Sequence, residues 1–264
     1  MLVILKRDRE GLNREAARII ASAVRRKPSL TLGLATGATT LGVYAELVRM
    51  HREDGLDFSR VITFNLDEYF RIPPDHPQSF HHFMHENFFR HVNVKPANIH
   101  IPDGTVRENC EEYCASYEAS IRAAGGVELQ ILGIGRNGHI GFNEPASSLG
   151  SRTRLKALSQ ETLDDNRRFF APGEEMPRCA ITVGIGTILE ARRIVLLAAG
   201  PSKAKAVARA IEGPITASVT ASALQLHPDV TCIVNEDAAA ELAQKDYYRR
   251  VLELTAQFTP NRLW

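Results

Sequence analysis

Cysteine is scarce in this chain, four residues in 264, which excludes a disulfide scaffold and points to a reducing compartment. Long hydrophobic runs are missing too: the longest, residues 194–199, falls far short of the ~20 residues a spanning helix needs. No signal-peptide core opens the sequence, because Lys6 interrupts MLVILKRDRE before an apolar segment can build. A soluble, cytoplasmic protein is therefore expected. Net charge is also nearly absent, since 32 Lys+Arg stand against 31 Asp+Glu. Without a global field, nucleic acid and anionic membranes are not expected partners, and any anion must be held locally. There is no internal repeat, low-complexity tract or interdomain linker.

What is present is an ordinary globular composition, 44% hydrophobic and 24% charged, in a chain long enough to bury roughly 75% of its unfolded surface without staples. Short β-rich runs at 2–5, 30–34, 61–65, 127–132, 181–183, 194–199 and 230–234 alternate with segments of helical period. Leu12, Ala16, Ile19, Ile20, Ala23 and Val24 make one helical stripe, and Cys110, Tyr113, Cys114, Tyr117 and Ile121 make another that turns both cysteines to a core. The alternation predicts one α/β domain over 1–264, an open, mostly parallel, Rossmann-like sheet of about seven strands with helices on both faces. Residues 147–178 break the rhythm. They are polar, read as strand-free, and carry Arg152, Arg154, Lys156, Arg167 and Arg168; a solvated excursion and a mobile helical lid bringing cations to an anion account for them equally well.

In an open parallel sheet, ligands bind beyond the carboxyl ends of the strands, so the loops that follow strands are read together. Ala35-Thr36-Gly37-Ala38-Thr39-Thr40 leads into a helix with Leu41, Tyr44, Leu47 and Val48. Small residues at a helix start offer N–H groups and hydroxyls to a phosphate, although a plain capped start gives the same pattern. It is not a Walker loop, since no Gly-Lys-Ser/Thr follows. Gly200-Pro201-Ser202-Lys203 starts another helix, with a lysine in the first turn where the macrodipole disfavours it unless an anion sits between; a lysine simply turned to solvent is the equal alternative. Leu66-Asp67-Glu68-Tyr69 places two carboxylates at a strand end, of which at most one can face a ligand. The other reading is helix capping.

The fourth loop runs from Gly133 to Pro145 and contains a formal G-x-G-x-x-G. A dinucleotide fingerprint needs a helix directly after its glycines, but Gly141 and Pro145 interrupt here. The glycines instead let backbone approach a ligand and expose His139, with Asn137 and Glu144 in reach, an acid/base arrangement. His81 and His85 have i, i+4 metal spacing, but no third ligand is marked and Phe80, Phe83, Met84 and Phe88 give that helix a buried stripe.

These loops together resemble the glucosamine-6-phosphate deaminases. The resemblance is carried by Leu34-Ala35-Thr36-Gly37, Thr63-Phe64-Asn65-Leu66-Asp67-Glu68-Tyr69, Gly-His-Ile-Gly-Phe-Asn-Glu-Pro within residues 133–148, Ser151-Arg152-Thr153-Arg154, Arg168-Phe169-Phe170 and Leu224-Gln225-Leu226-His227-Pro228. It implies conversion of glucosamine 6-phosphate and water to fructose 6-phosphate and ammonia, in amino-sugar breakdown, with neither metal nor organic cofactor. It assigns Asp67 as the base that moves a proton between C2 and C1, and His139, Glu144 and Asn137 to ring opening. The best-known members carry Asp at position 137, and an amide there adds no charge to an imidazolium. Phosphate is implied at Thr36, Gly37, Ala38, Thr39, Arg168 and Lys203. Some members are hexamers activated by N-acetylglucosamine 6-phosphate, and Ser147, Arg154 and Lys156 match that allosteric site. Ala157 stands where regulated members have Thr, and Tyr247 and Tyr248 fall out of register with their C-terminal tyrosine; the resemblance implies a homo-oligomer of six if the chain is regulated, otherwise a monomer or dimer. A 6-phosphogluconolactonase-like lactonase, or a sugar-phosphate sensor without turnover, remains an alternative at this stage.

Overall fold

The computed structural model describes residues 1–258. In chain order its strands are β1 (Leu2–Lys6), β2 (Thr31–Leu34), β3 (Ile62–Asn65), β4 (Asp67–Tyr69), β5 (Ile99–His100), β6 (Leu129–Gly133), β7 (Arg154–Ala157), β8 (Cys179–Thr182), β9 (Arg193–Ala198) and β10 (Val230–Asn235). The helices are α1 (Arg9–Arg26), α2 (Leu41–Asp54), α3 (Phe80–Asn87), α4 (Cys110–Ala123), α5 (Gln160–Arg167), α6 (Ile185–Leu189), α7 (Ala204–Ile211) and α8 (Lys245–Phe258). Seven strands pair in parallel in the order β1-β10-β9-β6-β2-β3-β5.

Apolar burial builds this sheet from both sides, which is why β2, β9 and β10 are buried almost throughout and read as near-continuous hydrophobic runs. One face carries α1 and α2, with Leu12, Ile20, Tyr44 and Leu47 packed on Leu32, Leu34 and Ile131. The other carries α4, α6 and α7, with Tyr117, Ile121, Ile188 and Val207 against Phe64, Leu132 and Leu196. The α1 stripe is buried as expected, and Asp8 caps that helix by accepting the Gly11 N–H at 2.8 Å. In α4, Cys114 is buried but Cys110 is only half-buried, because it lies in the first turn, at the end of the stripe.

Two expectations need correction. The run at 181–183 is not a strand of the parallel sheet. It lies in β8, the centre of a separate antiparallel sheet ordered β4-β8-β7, and the seventh parallel strand is the two-residue β5. Residues 147–178 are not strand-free, since Arg-Leu-Lys-Ala forms the edge strand β7. Its half-exposed pattern has no buried face to advertise it, and only pairing with β8 makes it a strand.

The small sheet joins the large one through short range geometry: Val183 N donates to Leu66 O at 2.7 Å. Its far end is pinned by Glu118 of α4, which accepts from Thr153 N, Thr153 Oγ1 and Thr187 Oγ1 and pairs with Arg152. Gly184 lies under this hinge, where a Cβ would come within 2.1 Å of Ser151 O and 2.5 Å of Arg152 O. Gly184→Ala is therefore expected to cost about 1–3 kcal/mol through overpacking, read as a fall of roughly 2–10 °C in melting temperature; unchanged melting would show that the 151–152 backbone yields freely. No helix among the described residues is long and apolar enough to cross a membrane.

Candidate active site

Strand order decides where the four loops meet. Strands β9, β6, β2 and β3 are consecutive neighbours, about 4.8 Å apart, so the loops after them emerge side by side at the carboxyl edge. From β2 the chain moves outward to β3 and β5, whereas from β6 it moves to β9 and β10 the other way. The order thus reverses between β2 and β6, the place where such sheets open a crevice. A cavity of about 740 Å³ lies there, lined by the 36–39 loop, Asp67, the 133–139 loop, Arg168 and Lys203.

Alternation along β4 separates the two adjacent carboxylates. Asp67 lines the cavity, and Glu68 points the other way, where it accepts from Ser79 Oγ (2.7 Å), Phe80 N (3.0 Å), His81 N (2.9 Å) and Tyr69 N (2.9 Å). Glu68 is therefore a cap for α3. Asp67 is only 6% exposed, and among the described residues nothing donates a hydrogen bond to its carboxylate. Burial, with the neighbouring Glu68 charge adding to it, pushes its pKa up to about 8. A carboxyl so placed is a strong proton acceptor once ionised and is ready to exchange protons near neutrality.

His139 faces the same cavity from the glycine-rich loop. Its ring lies against Gly135, where a Cβ would come within 2.3 Å of the imidazole, so glycine is required for the ring's seat. Nδ1 is turned to Glu144 Oε2 at 3.5 Å, beyond a well-formed hydrogen bond. The Asn137 amide makes no hydrogen bond to the ring, contrary to the expectation that it holds the imidazole. Its Nδ2 donates to Glu144 Oε2 at 3.0 Å and its Oδ1 accepts the His139 backbone N–H at 3.1 Å. The order is thus His139, Glu144, Asn137, with the carboxylate in the middle. Burial opposes charge on Glu144, but His139, the Thr162 hydroxyl and the Asn137 amide prevail and hold its pKa down to about 2. Gly141, at φ 56°, brings this loop next to Asp67, since a Cβ there would lie 3.3 Å from Asp67 Oδ2.

The 36–39 loop, also on the cavity lining, precedes α2. Thr40 Oγ1 donates to Gly37 O and Tyr44 Oη to Ala35 O, which occupies loop carbonyls and leaves the N–H groups of Gly37, Ala38 and Thr39 without an acceptor among the described residues. Lys203 ends a 3-10 turn (Pro201–Lys203) ahead of α7 rather than sitting inside an α-helix. Burial lowers its pKa, and Asp165, Arg136, Glu161 and Arg168 are the charges acting on it. Arg168 follows α5, its guanidinium over the Phe169 ring at 4.8 Å.

Of the five cations expected from residues 147–178, only Arg168 reaches the cavity. Arg152 is paired with Glu118 and Glu190, Arg154 donates to Asn143 Oδ1 at 2.9 Å, Lys156 does not line the cavity, and Arg167 donates to Glu174 O. Ser147 is buried and its hydroxyl has no partner among the described residues. The sequence reading missed Arg136, which lines the cavity although it stands inside the glycine motif already singled out. It also missed the aromatic seat made by Tyr69, Phe80, Phe142 and Phe170; Phe170 anchors the 158–176 segment there. Phe80 and Phe83, taken as core, are half-buried and form part of the cavity wall. Among the described residues no group of three or more His, Cys, Asp or Glu is placed to hold a metal ion.

Residues 9–232 match the family described as glucosamine-6-phosphate isomerases/6-phosphogluconolactonase. The chain is 50% identical over 246 residues to the glucosamine-6-phosphate deaminase of Thermoanaerobacter pseudethanolicus, covering 93% of this chain and 97% of that one. It is 52% identical over 251 residues to the enzyme of the same name from Hahella chejuensis, covering 95% of each. A solved structure described as a monomeric glucosamine-6-phosphate deaminase superposes with a TM-score of 0.89 at 44% identity, over 91% of this chain and all of that one. The 6-phosphogluconolactonase of Trypanosoma brucei shares the fold, with a TM-score of 0.72 at 17% identity over 92% of this chain and 98% of that one.

Proposed function

The chain belongs to the glucosamine-6-phosphate isomerase/6-phosphogluconolactonase family, and on that premise we propose that it converts glucosamine 6-phosphate and water to fructose 6-phosphate and ammonia. The observation that carries this reading is the one cavity lined by a desolvated carboxylate, a carboxylate-backed histidine, a lysine and a loop whose backbone N–H groups have no acceptor among the described residues. Phosphate rests on the N–H groups of the 36–39 loop, with Lys203 and Arg168 as its cations. His139 carries the proton from the anomeric hydroxyl to the ring oxygen, and ionised Glu144 stabilises the imidazolium that forms in passing. Asn137 holds Glu144 in place. Asp67 then takes the C2 proton of the open aldose while an ammonium proton passes to O1, giving an enolamine, and returns the C2 proton to C1, which leaves a C1 hydroxyl and an iminium at C2. Water adds to that carbon and ammonia departs.

Ammonia release from glucosamine 6-phosphate tests the reading, with 6-phosphogluconolactone as the rival substrate. Stoichiometric ammonia and fructose 6-phosphate are expected. Lactone hydrolysis alone would replace the deaminase by a lactonase, and ligand-induced stabilisation without turnover would replace it by a sensor.

The finer reading is a cytoplasmic enzyme that works as a monomer without N-acetylglucosamine 6-phosphate. Arg154 is engaged by Asn143, Tyr248 by Glu212 Oε1 at 3.0 Å, position 157 is alanine, and the relative described as monomeric is 44% identical. Solution mass and an activator titration check it. A hexamer, or activation by the acetylated sugar, would overturn it. Residues 147–178 act in this reading as the lid of a single domain, seated by Phe170.

A further inference from the structure

Arg136 stands three residues before His139 and forms a two-point ion pair with Asp165 of α5, Nε to Oδ2 at 2.8 Å and Nη2 to Oδ1 at 2.6 Å. Glu161, one helical turn earlier, lies 3.8 Å from Arg136 Nε. Asp164 is taken by Gln160 Nε2 at 2.8 Å. The pair is exposed, with side chains 44% and 37% accessible, so it contributes little to stability. What distinguishes it is its surroundings: Arg136 and Asp165 line the same cavity as Lys203 and Arg168, and Asp165 and Glu161 are carboxylates whose charge acts on Lys203. A phosphate dianion arriving at Lys203 therefore meets a field that holds two carboxylates, and among the described residues only Arg136 pairs with both of them.

We infer that Arg136 is a positioning residue for the phosphate subsite: by engaging Asp165 at two points, with Glu161 alongside, it keeps these carboxylates from occupying Lys203 and leaves the lysine available to phosphate. The inference rests on the reading of Lys203 as a phosphate cation. In partly screened surroundings one uncompensated carboxylate near a dianion weakens binding on the order of tenfold.

The test uses Arg136→Met, Asp165→Asn and the double variant, with the dissociation constant of inorganic phosphate by calorimetry and KM and kcat on glucosamine 6-phosphate. Arg136→Met is expected to weaken phosphate and raise KM about tenfold, with kcat at saturation within about twofold of the parent. Adding Asp165→Asn should restore both constants to within about threefold, because the carboxylate that Arg136 had neutralised is gone. A double variant as weak as Arg136→Met would overturn the inference and make Arg136 a direct phosphate contact or a shaper of the loop. Parent-like phosphate binding by Arg136→Met would overturn it as well. If Arg136→Met does not fold, Arg136→Gln with and without Asp165→Asn gives the same comparison. Lys203→Met separates this claim from its premise: if that variant binds phosphate as tightly as the parent, the subsite itself has been misplaced.

Discussion

Replacing Asp67 by asparagine is expected to lower turnover by roughly 10²–10⁴-fold, the usual share of general acid–base catalysis, while making the protein more stable at neutral and alkaline pH. Both effects have one cause. Asp67 is buried, receives no hydrogen bond among the described residues, and sits beside Glu68, which together lift its pKa to about 8. Its folded-state pKa is thus above the unfolded value. The stability it contributes is fully present below about pH 4, and is lost as pH rises through about 8. Asparagine has the same shape and no charge to bury, so the variant should gain on the order of 2–4 kcal/mol at pH 7–8 and almost nothing at pH 4. Differential scanning calorimetry across that range reads the gain. In the parent, kcat/KM should rise with pH as Asp67 ionises, and this limb should vanish in the residual activity of the variant. A folded Asp67→Asn enzyme with near-normal turnover would remove Asp67 from the mechanism, and an equal stability change at every pH would mean that the carboxyl does not titrate as stated.

Lys203→Met is expected to raise KM for glucosamine 6-phosphate by about 10–150-fold, the loss of a charge-assisted hydrogen bond of about 1.5–3 kcal/mol. The lysine is half-buried at the foot of α7, so its desolvated charge is compensated when the phosphate arrives. With nearly balanced total charge, no distant field replaces it. Arg168→Met should raise KM comparably and also reduce kcat, because Arg168 follows α5 in the segment seated by Phe170, and phosphate binding energy spent there helps to close the site. Unphosphorylated glucosamine should be a poor substrate that neither change affects. Equal losses on glucosamine and on its phosphate would make both cations structural.

The sequence by itself determined the layered α/β core, because apolar periodicity is a local signal. The α1 stripe from Leu12 to Val24 and the runs that became β2, β9 and β10 are buried as that signal demands. It also marked Asp67, His139, Arg168 and Lys203, whose loops follow or interrupt strands in ways that packing alone does not ask for. Other features depend on partners far along the chain. β7 exists through its pairing with β8, and Asp67 is distinguished from Glu68 only because the small sheet turns one side chain to the cavity and lets Ser79, Phe80 and His81 claim the other. Asn137 looked like a partner of the imidazole because it is near in sequence, yet the loop's path gives its amide to Glu144 and to backbone. Arg136 meets its partner Asp165 twenty-nine residues away. Hydrophobic pattern is written residue by residue, whereas the direction of a polar side chain and the charge it faces are set by which strands become neighbours, and that is decided only when the whole chain has packed.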